Sequence, residues 1–291
     1  MNLRGVGVAL ITPFNEDGSV DFESLTHLVN YVSTNDVDYL VIHGTTGETP
    51  TLTKEEKRAI VKHVCENNKA KLPVVIGCGG NSTADVIALL EDEMYKYADA
   101  ILSVTPYYNK PNQTGLYEHF KAIALASKKP IVLYNVPGRT GVNLSAETIV
   151  RLANDFENIV AIKEADTDMN KLIKVLKGRP EGFLVLSADD AYVIPQISVG
   201  ADGVISVAAN SYPKDFCKMV HLALDGKFGE AQPIVYKLNE QIDLLFAEGN
   251  PTGVKAALNK LGICKNQLRL PLVPASDKLY SEISKFIESN M

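Results

Sequence analysis

Short apolar runs alternate with amphipathic stretches along most of this chain. Eight runs, at 5–12, 39–44, 73–78, 100–105, 130–135, 159–164, 183–187 and 203–207, are rich in β-branched residues and bounded by turn residues. That pattern predicts buried strands. Between them, 21–34 places Phe22, Leu25, Leu28, Val29 and Val32 on one helical stripe. A second helix opens at Thr53-Lys54-Glu55-Glu56, where Thr53 and Glu56 form a capping box. Further helices are predicted to begin near Ser82, Gln113, Ser145, Asp166 and Asp189, an aspartate after the seventh strand serving as N-cap.

Strand–helix alternation implies parallel strands joined by crossover helices. Eight such units fit an α/β fold of the (β/α)8 TIM-barrel type over 1–225. The remainder, 226–291, reads as a C-terminal helical subdomain, one helix of which starts at Asn250-Pro251 with proline in the first helical position. A dinucleotide-binding fold is the rival. Gly5-Val6-Gly7 has Leu10 where the third glycine belongs, and Gly77-Cys78-Gly79-Gly80 has Ser82 there, so both read as tight turns.

Composition removes several classes of function. With 46% hydrophobic and 22% charged residues the chain has the make-up of a globular protein. A net charge of −6 without a basic run argues against nucleic acid or an anionic membrane as partner. No apolar run reaches the length of a membrane span, and the N-terminus lacks a signal-peptide core, so a cytoplasmic location is expected. Cys65, Cys78, Cys217 and Cys264 form no CxxC pair and the five histidines complete no metal spacing, so reduced thiols and no metal are expected.

Lys163 breaks the apolar pattern. It ends the run Ile159-Val160-Ala161-Ile162-Lys163, where an ammonium group would be desolvated. Burial disfavours the charged form of an amine, and a neutral lysine amine is the nucleophile of Schiff-base chemistry with carbonyl compounds. In a (β/α)8 barrel such chemistry sits at the C-terminal ends of the strands. Gly44-Thr45-Thr46-Gly47-Glu48 follows the second strand, and its glycines and hydroxyls suit either a small-carboxylate nest or an ordinary capped turn. Tyr107 and Tyr108 follow the fourth strand; adjacent side chains diverge, so one of them is expected to pack elsewhere, against a second subunit for example. Tyr134 ends the fifth strand with its hydroxyl able to face the lysine, and Arg139 follows in a Pro-Gly turn, able to fork onto a carboxylate. Val204-Ile205-Ser206-Val207 mixes barrel lining with one hydroxyl and offers no glycine-rich phosphate cup.

Six segments in this order, namely Gly44–Glu48, Thr105-Pro106-Tyr107-Tyr108-Asn109, Tyr134-Asn135-Val136-Pro137-Gly138-Arg139-Thr140-Gly141, Ile162-Lys163-Glu164-Ala165, Gly203-Val204-Ile205-Ser206-Val207 and Leu268-Arg269-Leu270-Pro271, cover essentially the whole chain. Together they resemble the dihydrodipicolinate synthase family of pyruvate-dependent class I aldolases. The resemblance implies that Lys163 forms an imine with pyruvate and that no cofactor is needed. Thr45, Thr46 and the backbone around Ile205 are then expected to hold the pyruvate carboxylate. Tyr134 becomes the proton donor and acceptor, linked through Thr45 to Tyr108 of a neighbouring subunit. Arg139 is expected to bind the second substrate, L-aspartate 4-semialdehyde, in the step that opens diaminopimelate and lysine biosynthesis. The family pattern suggests a homotetramer built as a dimer of dimers. Sialic acid and keto-deoxy sugar acid lyases are the alternative within the same fold, but Arg139 is not expected there because their second substrate is a polyol. There are two departures from the family: Ala188 replaces a glycine, which narrows the second-substrate pocket, and Lys54 and Lys57 stand where lysine-inhibited members commonly carry histidine. Two cations there repel a lysine ammonium group, so weak or absent feedback inhibition is expected.

Overall fold

The computed structural model describes residues 2–290. Eight parallel strands close into a barrel in sequence order. They are β1 (Gly5–Ala9), β2 (Tyr39–Ile42), β3 (Val74–Gly77), β4 (Ala100–Val104), β5 (Ile131–Asn135), β6 (Ile159–Glu164), β7 (Leu184–Ser187) and β8 (Gly203–Ser206). Nearly every strand residue is buried, as a sheet covered on both faces requires. Most strands are shorter than their apolar runs. Residues 10–12, for instance, stay buried beyond β1 but leave the ladder after Leu10 donates to the Val41 carbonyl at 3.0 Å.

The chain forms two compact units. One comprises Pro73–Ile205 with the N-terminal residues up to Arg4; the other comprises Gly5–Leu72 with the chain from Ser206 onward. In the first unit the helix Ala146–Asp155 buries Ala146, Ile149, Leu152 and Ala153, one stripe of helical period. Its N-cap Ser145 accepts from the Thr148 amide at 3.1 Å. In the second unit the helix Phe22–Ser33 buries Leu25, Leu28, Val29 and Val32, and the Thr53–Glu56 capping box opens the helix Lys54–Asn67. Three helices lie beyond residue 226: Phe228–Phe246, Thr252–Lys260 and Asp277–Asn290.

Three helix starts differ from the sequence reading. The helix after β6 is Met169–Gly178, capped by Asp168 and not by Asp166. Asp166 is drawn aside by Asn143, whose Nδ2 donates to its Oδ2 at 2.6 Å. Asp189 caps a turn: its Oδ1 accepts from the Ala191 amide at 3.0 Å, and the helix itself begins later, at Val193–Ser198, capped by Tyr192. Pro251 occupies the N-cap, one position before the helix Thr252–Lys260. The turn that carries Arg139 is a single helical turn, Pro137–Thr140.

The helix Thr252–Lys260 approaches Phe228–Phe246 so closely that a Cβ on Gly253 would lie 2.3 Å from the Leu245 carbonyl oxygen. Only a backbone shift could relieve that clash. Gly253→Ala is expected to lower stability by about 1–3 kcal/mol, read as a shift of the denaturant midpoint at unchanged slope.

Candidate active site

On β6 the pleat sends successive side chains to opposite faces. Glu164 points to the helix layer, where it pairs with Lys171 of the helix Met169–Gly178. Lys163 therefore faces the other way, into the barrel. It is 5% exposed. Its register partner on β5 is Tyr134, and parallel neighbours in register present their side chains on the same face. The Lys163 Nζ lies over the Tyr134 ring, 4.3 Å from its centroid. The contact is thus with the ring face, where sequence reasoning had the hydroxyl meeting the amine. The negative face of the ring attracts a lysine head group, and its bulk shields that group from water. Ile205, on β8 of the same unit, is buried.

The loops beyond these strands carry the exposed candidates. Tyr107 is half-exposed and Tyr108 is 89% exposed. Tyr108 also adopts a φ of 74°, a left-handed conformation unusual for a bulky side chain. Neither ring is buried. After β5, the Thr140 hydroxyl fixes the one-turn helix by donating to the carbonyls of Val136 and Val142 at 3.2 and 3.1 Å, while Arg139 projects into solvent.

In the second unit, Thr45–Gly47 form a 3₁₀ turn closed by the Gly47 and Glu48 amides, each 3.1 Å from the carbonyls of Gly44 and Thr45. The residues at its two ends, His43 and Glu48, have φ of 60° and 51°. Such left-handed non-glycine residues each cost on the order of 1–3 kcal/mol and persist only where their surroundings impose them. His43 Nε2 lies 3.0 Å from the Lys57 carbonyl, and burial pulls its imidazole from 6.5 down to about 4, so it is a neutral donor. Glu48 is held by Lys255, whose Nζ is 2.5 Å from Oε1, and by the Arg269 amide, 3.0 Å from Oε2. Both charged side chains of the Glu48–Lys255 pair are wholly buried. Lys255 also donates to the Gln267 carbonyl at 2.7 Å and stands 4.2 Å over the Phe14 ring. The Arg269 guanidinium in turn forks onto Glu56 and donates to the Gly18 and Thr51 carbonyls. Thr46 Oγ1 accepts from Asn250 Nδ2 at 3.0 Å, and Thr12 donates to the Gly47 carbonyl at 2.7 Å.

The structure thus brings Lys163 and Tyr134 into contact, sets Ile205 in the same unit, leaves Arg139 and Tyr108 exposed, and fixes Thr45 and Thr46 in a clamped turn of the second unit. Among the described residues no group of three or more His, Cys, Asp or Glu could hold a metal ion, and the four cysteines are free thiols.

The sequence model of the dihydrodipicolinate synthetase family matches residues 2–290. The chain belongs to this family. It is 50% identical over 287 residues to 4-hydroxy-tetrahydrodipicolinate synthase of Parabacteroides distasonis, covering 99% of this chain and 97% of that protein. The crystal structure of dihydrodipicolinate synthase from Aquifex aeolicus matches with a TM-score of 0.94 at 41% identity, over 99% of this chain and 98% of that one. A structure of a monomeric dihydrodipicolinate synthase variant matches with a TM-score of 0.95 at 41% identity, over 98% and 96% of the two chains.

Sequence reasoning missed the groups that hold the family's motif residues in place. Glu48, Lys255 and Arg269 lie far apart in the chain. The one local sign was Lys255 in the apolar stretch Gly253-Val254-Lys255-Ala256-Ala257-Leu258, the same kind of anomaly that exposed Lys163.

The clamp has measurable consequences. Lys255→Met leaves the Glu48 carboxylate buried without its partner and is expected to cost about 3–5 kcal/mol in denaturant unfolding. Adding Glu48→Gln to that variant should recover most of the loss, because the stranded charge is gone.

Glu56 supplies a pH-dependent term. The Arg269 hydrogen bond holds its carboxyl below the ordinary 4.5, at about 2. A depressed carboxyl contributes fully above pH 4.5 and loses its contribution as pH falls toward 2. Over that window wild-type stability should fall more steeply than that of Glu56→Gln, measured by denaturant midpoints at a series of pH values.

Proposed function

We propose that this chain condenses pyruvate with L-aspartate 4-semialdehyde through a lysine imine to give 4-hydroxy-tetrahydrodipicolinate, the entry step of diaminopimelate and lysine biosynthesis. The observation that carries the reading is the buried Lys163 amine lying against Tyr134 at the end of β6. Half of the residues are shared with a relative named for this reaction over almost its whole length, which favours the synthase over a sugar-acid lyase.

In this mechanism the neutral Lys163 Nζ attacks the ketone carbon of pyruvate, and loss of water gives the imine. The imine nitrogen, protonated, withdraws electrons from the adjacent methyl group, so a methyl proton can leave and an enamine forms. The enamine carbon then adds to the aldehyde carbon of the second substrate, and the aldehyde oxygen takes up a proton. The amine of that substrate next attacks the imine carbon, cyclises the product and releases Lys163 by transimination. Tyr134 serves as proton donor and acceptor, and Thr45 with Tyr108 of a partner subunit extends the relay. Thr46, together with Thr45 and the backbone at Ile205, orients the pyruvate carboxylate. Arg139 binds the carboxylate of the semialdehyde; its exposed guanidinium on a loop suits a group that meets the second substrate as it arrives. The chemistry needs no metal or organic cofactor.

The use of Tyr108 across an interface asks for at least a dimer, and a dimer of dimers is the proposed assembly. An 89% exposed tyrosine in a left-handed conformation supports a partner for that ring. A monomeric variant among the matching structures makes oligomeric state a property to be measured for each chain. Among the described residues no helix is long and apolar enough to cross a membrane, and the enzyme is proposed to act in the cytoplasm.

Borohydride reduction in the presence of pyruvate is expected to leave a covalent adduct on Lys163, located by peptide mass mapping. Lys163→Ala should give none; an adduct of equal yield there would reject Lys163 as the nucleophile. Turnover of a sialic or keto-deoxy sugar acid in place of aspartate semialdehyde would move the assignment to the lyases. In a steady-state assay at saturating pyruvate, L-lysine should inhibit weakly or not at all, because Lys54 and Lys57 repel its ammonium group. Potent inhibition would contradict that expectation.

A further inference from the structure

The loop that carries Arg139 leaves β5 immediately after Asn135 and returns to the same residue. Asn135 is fully buried, and its Oδ1 accepts from the Leu144 amide at 2.9 Å. Its Nδ2 donates to Asn143 Oδ1 at 2.8 Å and to Glu164 Oε1 at 2.7 Å. Asn135 and Glu164 are register partners, one residue beyond Tyr134 and Lys163 on the same two strands. The pleat therefore places the loop's anchor on the outer face of the strand pair whose inner face holds the reacting amine.

Lys171 completes the attachment. Its Nζ is 2.9 Å from Glu164 Oε2, donates to Asn143 Oδ1 at 2.6 Å and reaches Asp166 Oδ2 at 3.4 Å. Asn143 in turn donates to Asp166 Oδ2 at 2.6 Å, and Gln113 Nε2 donates to the Asn143 carbonyl at 2.7 Å. Burial pushes the Glu164 carboxyl up against the pull of Lys171. Asn143 itself is exposed and stands at the end of the loop. Its hydrogen bonds therefore add little to the core but decide where the loop ends.

We propose that Asn143 and Lys171 are positioning residues for the second substrate: they latch the Arg139 loop to the outer face of β5 and β6, fixing the guanidinium relative to Lys163. The inference rests on the condensation proposed above. It goes beyond it by assigning second-substrate affinity to a network that touches neither substrate.

The test uses the full chain as Asn143→Ala, Arg139→Ala and the double variant, with Lys171→Gln as a second way to open the latch. Asn143→Ala should raise KM for aspartate semialdehyde about tenfold, the order expected for weakening one charge-assisted hydrogen bond to its carboxylate. The pyruvate concentration that half-saturates the borohydride-trapped adduct should stay at the wild-type value. In the Arg139→Ala background, Asn143→Ala should add nothing further to KM, because the two act through one contact. An unchanged KM, a matching shift in pyruvate half-saturation, or effects that multiply across the two sites would each overturn the latch. Wild-type turnover of the semialdehyde, run in the same series, tests the condensation separately. A wild type that turns it over beside a normal Asn143→Ala variant removes the latch and leaves the condensation standing.

Discussion

The pleat at the end of β6 sets two neighbouring ionisable side chains, Lys163 and Glu164, on opposite faces of one strand, both almost wholly buried. Burying an isolated charge costs several kcal/mol, so each side needs its own solution. On the outer face Glu164 receives Lys171, Asn135 and the Asp166 amide. On the inner face Lys163 receives an aromatic ring. The first solution satisfies a carboxylate with donors from three directions and so fixes structure. The second sets the lysine head group against a ring face in place of a counter-ion. Because adjacent residues alternate faces, moving the strand register by one position would exchange the two environments. The β5–β6 register, with Tyr134 opposite Lys163 and Asn135 opposite Glu164, is therefore the constraint on which the site depends.

A related constraint governs the Thr45–Gly47 turn. Glycines at 44 and 47 permit it, but they do not select it. The left-handed conformations of His43 and Glu48 must be imposed, and the groups that impose them come from Lys57, Lys255 and Arg269. A buried ion pair is weak evidence for net stability. Its value here is geometric: the Glu48–Lys255 pair and the Arg269 amide leave the carboxylate one place to be, and the turn before it follows. The helix Thr252–Lys260 and the Leu268–Pro271 segment thus set the shape of a motif some two hundred positions earlier in the chain.

The barrel was legible because strand and helix periods are local, and because a buried strand of β-branched residues leaves few alternatives. Lys163 was legible for the opposite reason, as a violation of that pattern. What local reasoning misplaced was whatever a distant hydrogen bond decides. The helix expected near Asp166 starts behind Asp168, with the Asp166 carboxylate held by Asn143. The strands ended early because the residues after them turn away to build the loops that carry the family motifs. The networks around Glu48 and Glu164 were invisible because their members, at 48, 255 and 269 or at 135, 143, 164 and 171, share no sequence window. Tyr134 was placed correctly beside the lysine, yet no sequence rule chooses between its ring and its hydroxyl as the contact.

This arrangement divides labour by rigidity. Lys163 and Tyr134 sit on paired strands deep in the core, where a shift of either would disturb packing on both faces. Arg139 sits on a solvent-exposed helical turn, where sequence can vary without disturbing the core. An exposed loop residue gains a fixed geometry only from whatever anchors its loop. The end of the loop is tied to Asn135, which is itself bonded to Glu164, its register partner one residue beyond Tyr134 and Lys163. Under the proposed mechanism, the imine-forming lysine and the anchor of the loop that meets the second substrate are thus held by successive register pairs of the same two strands.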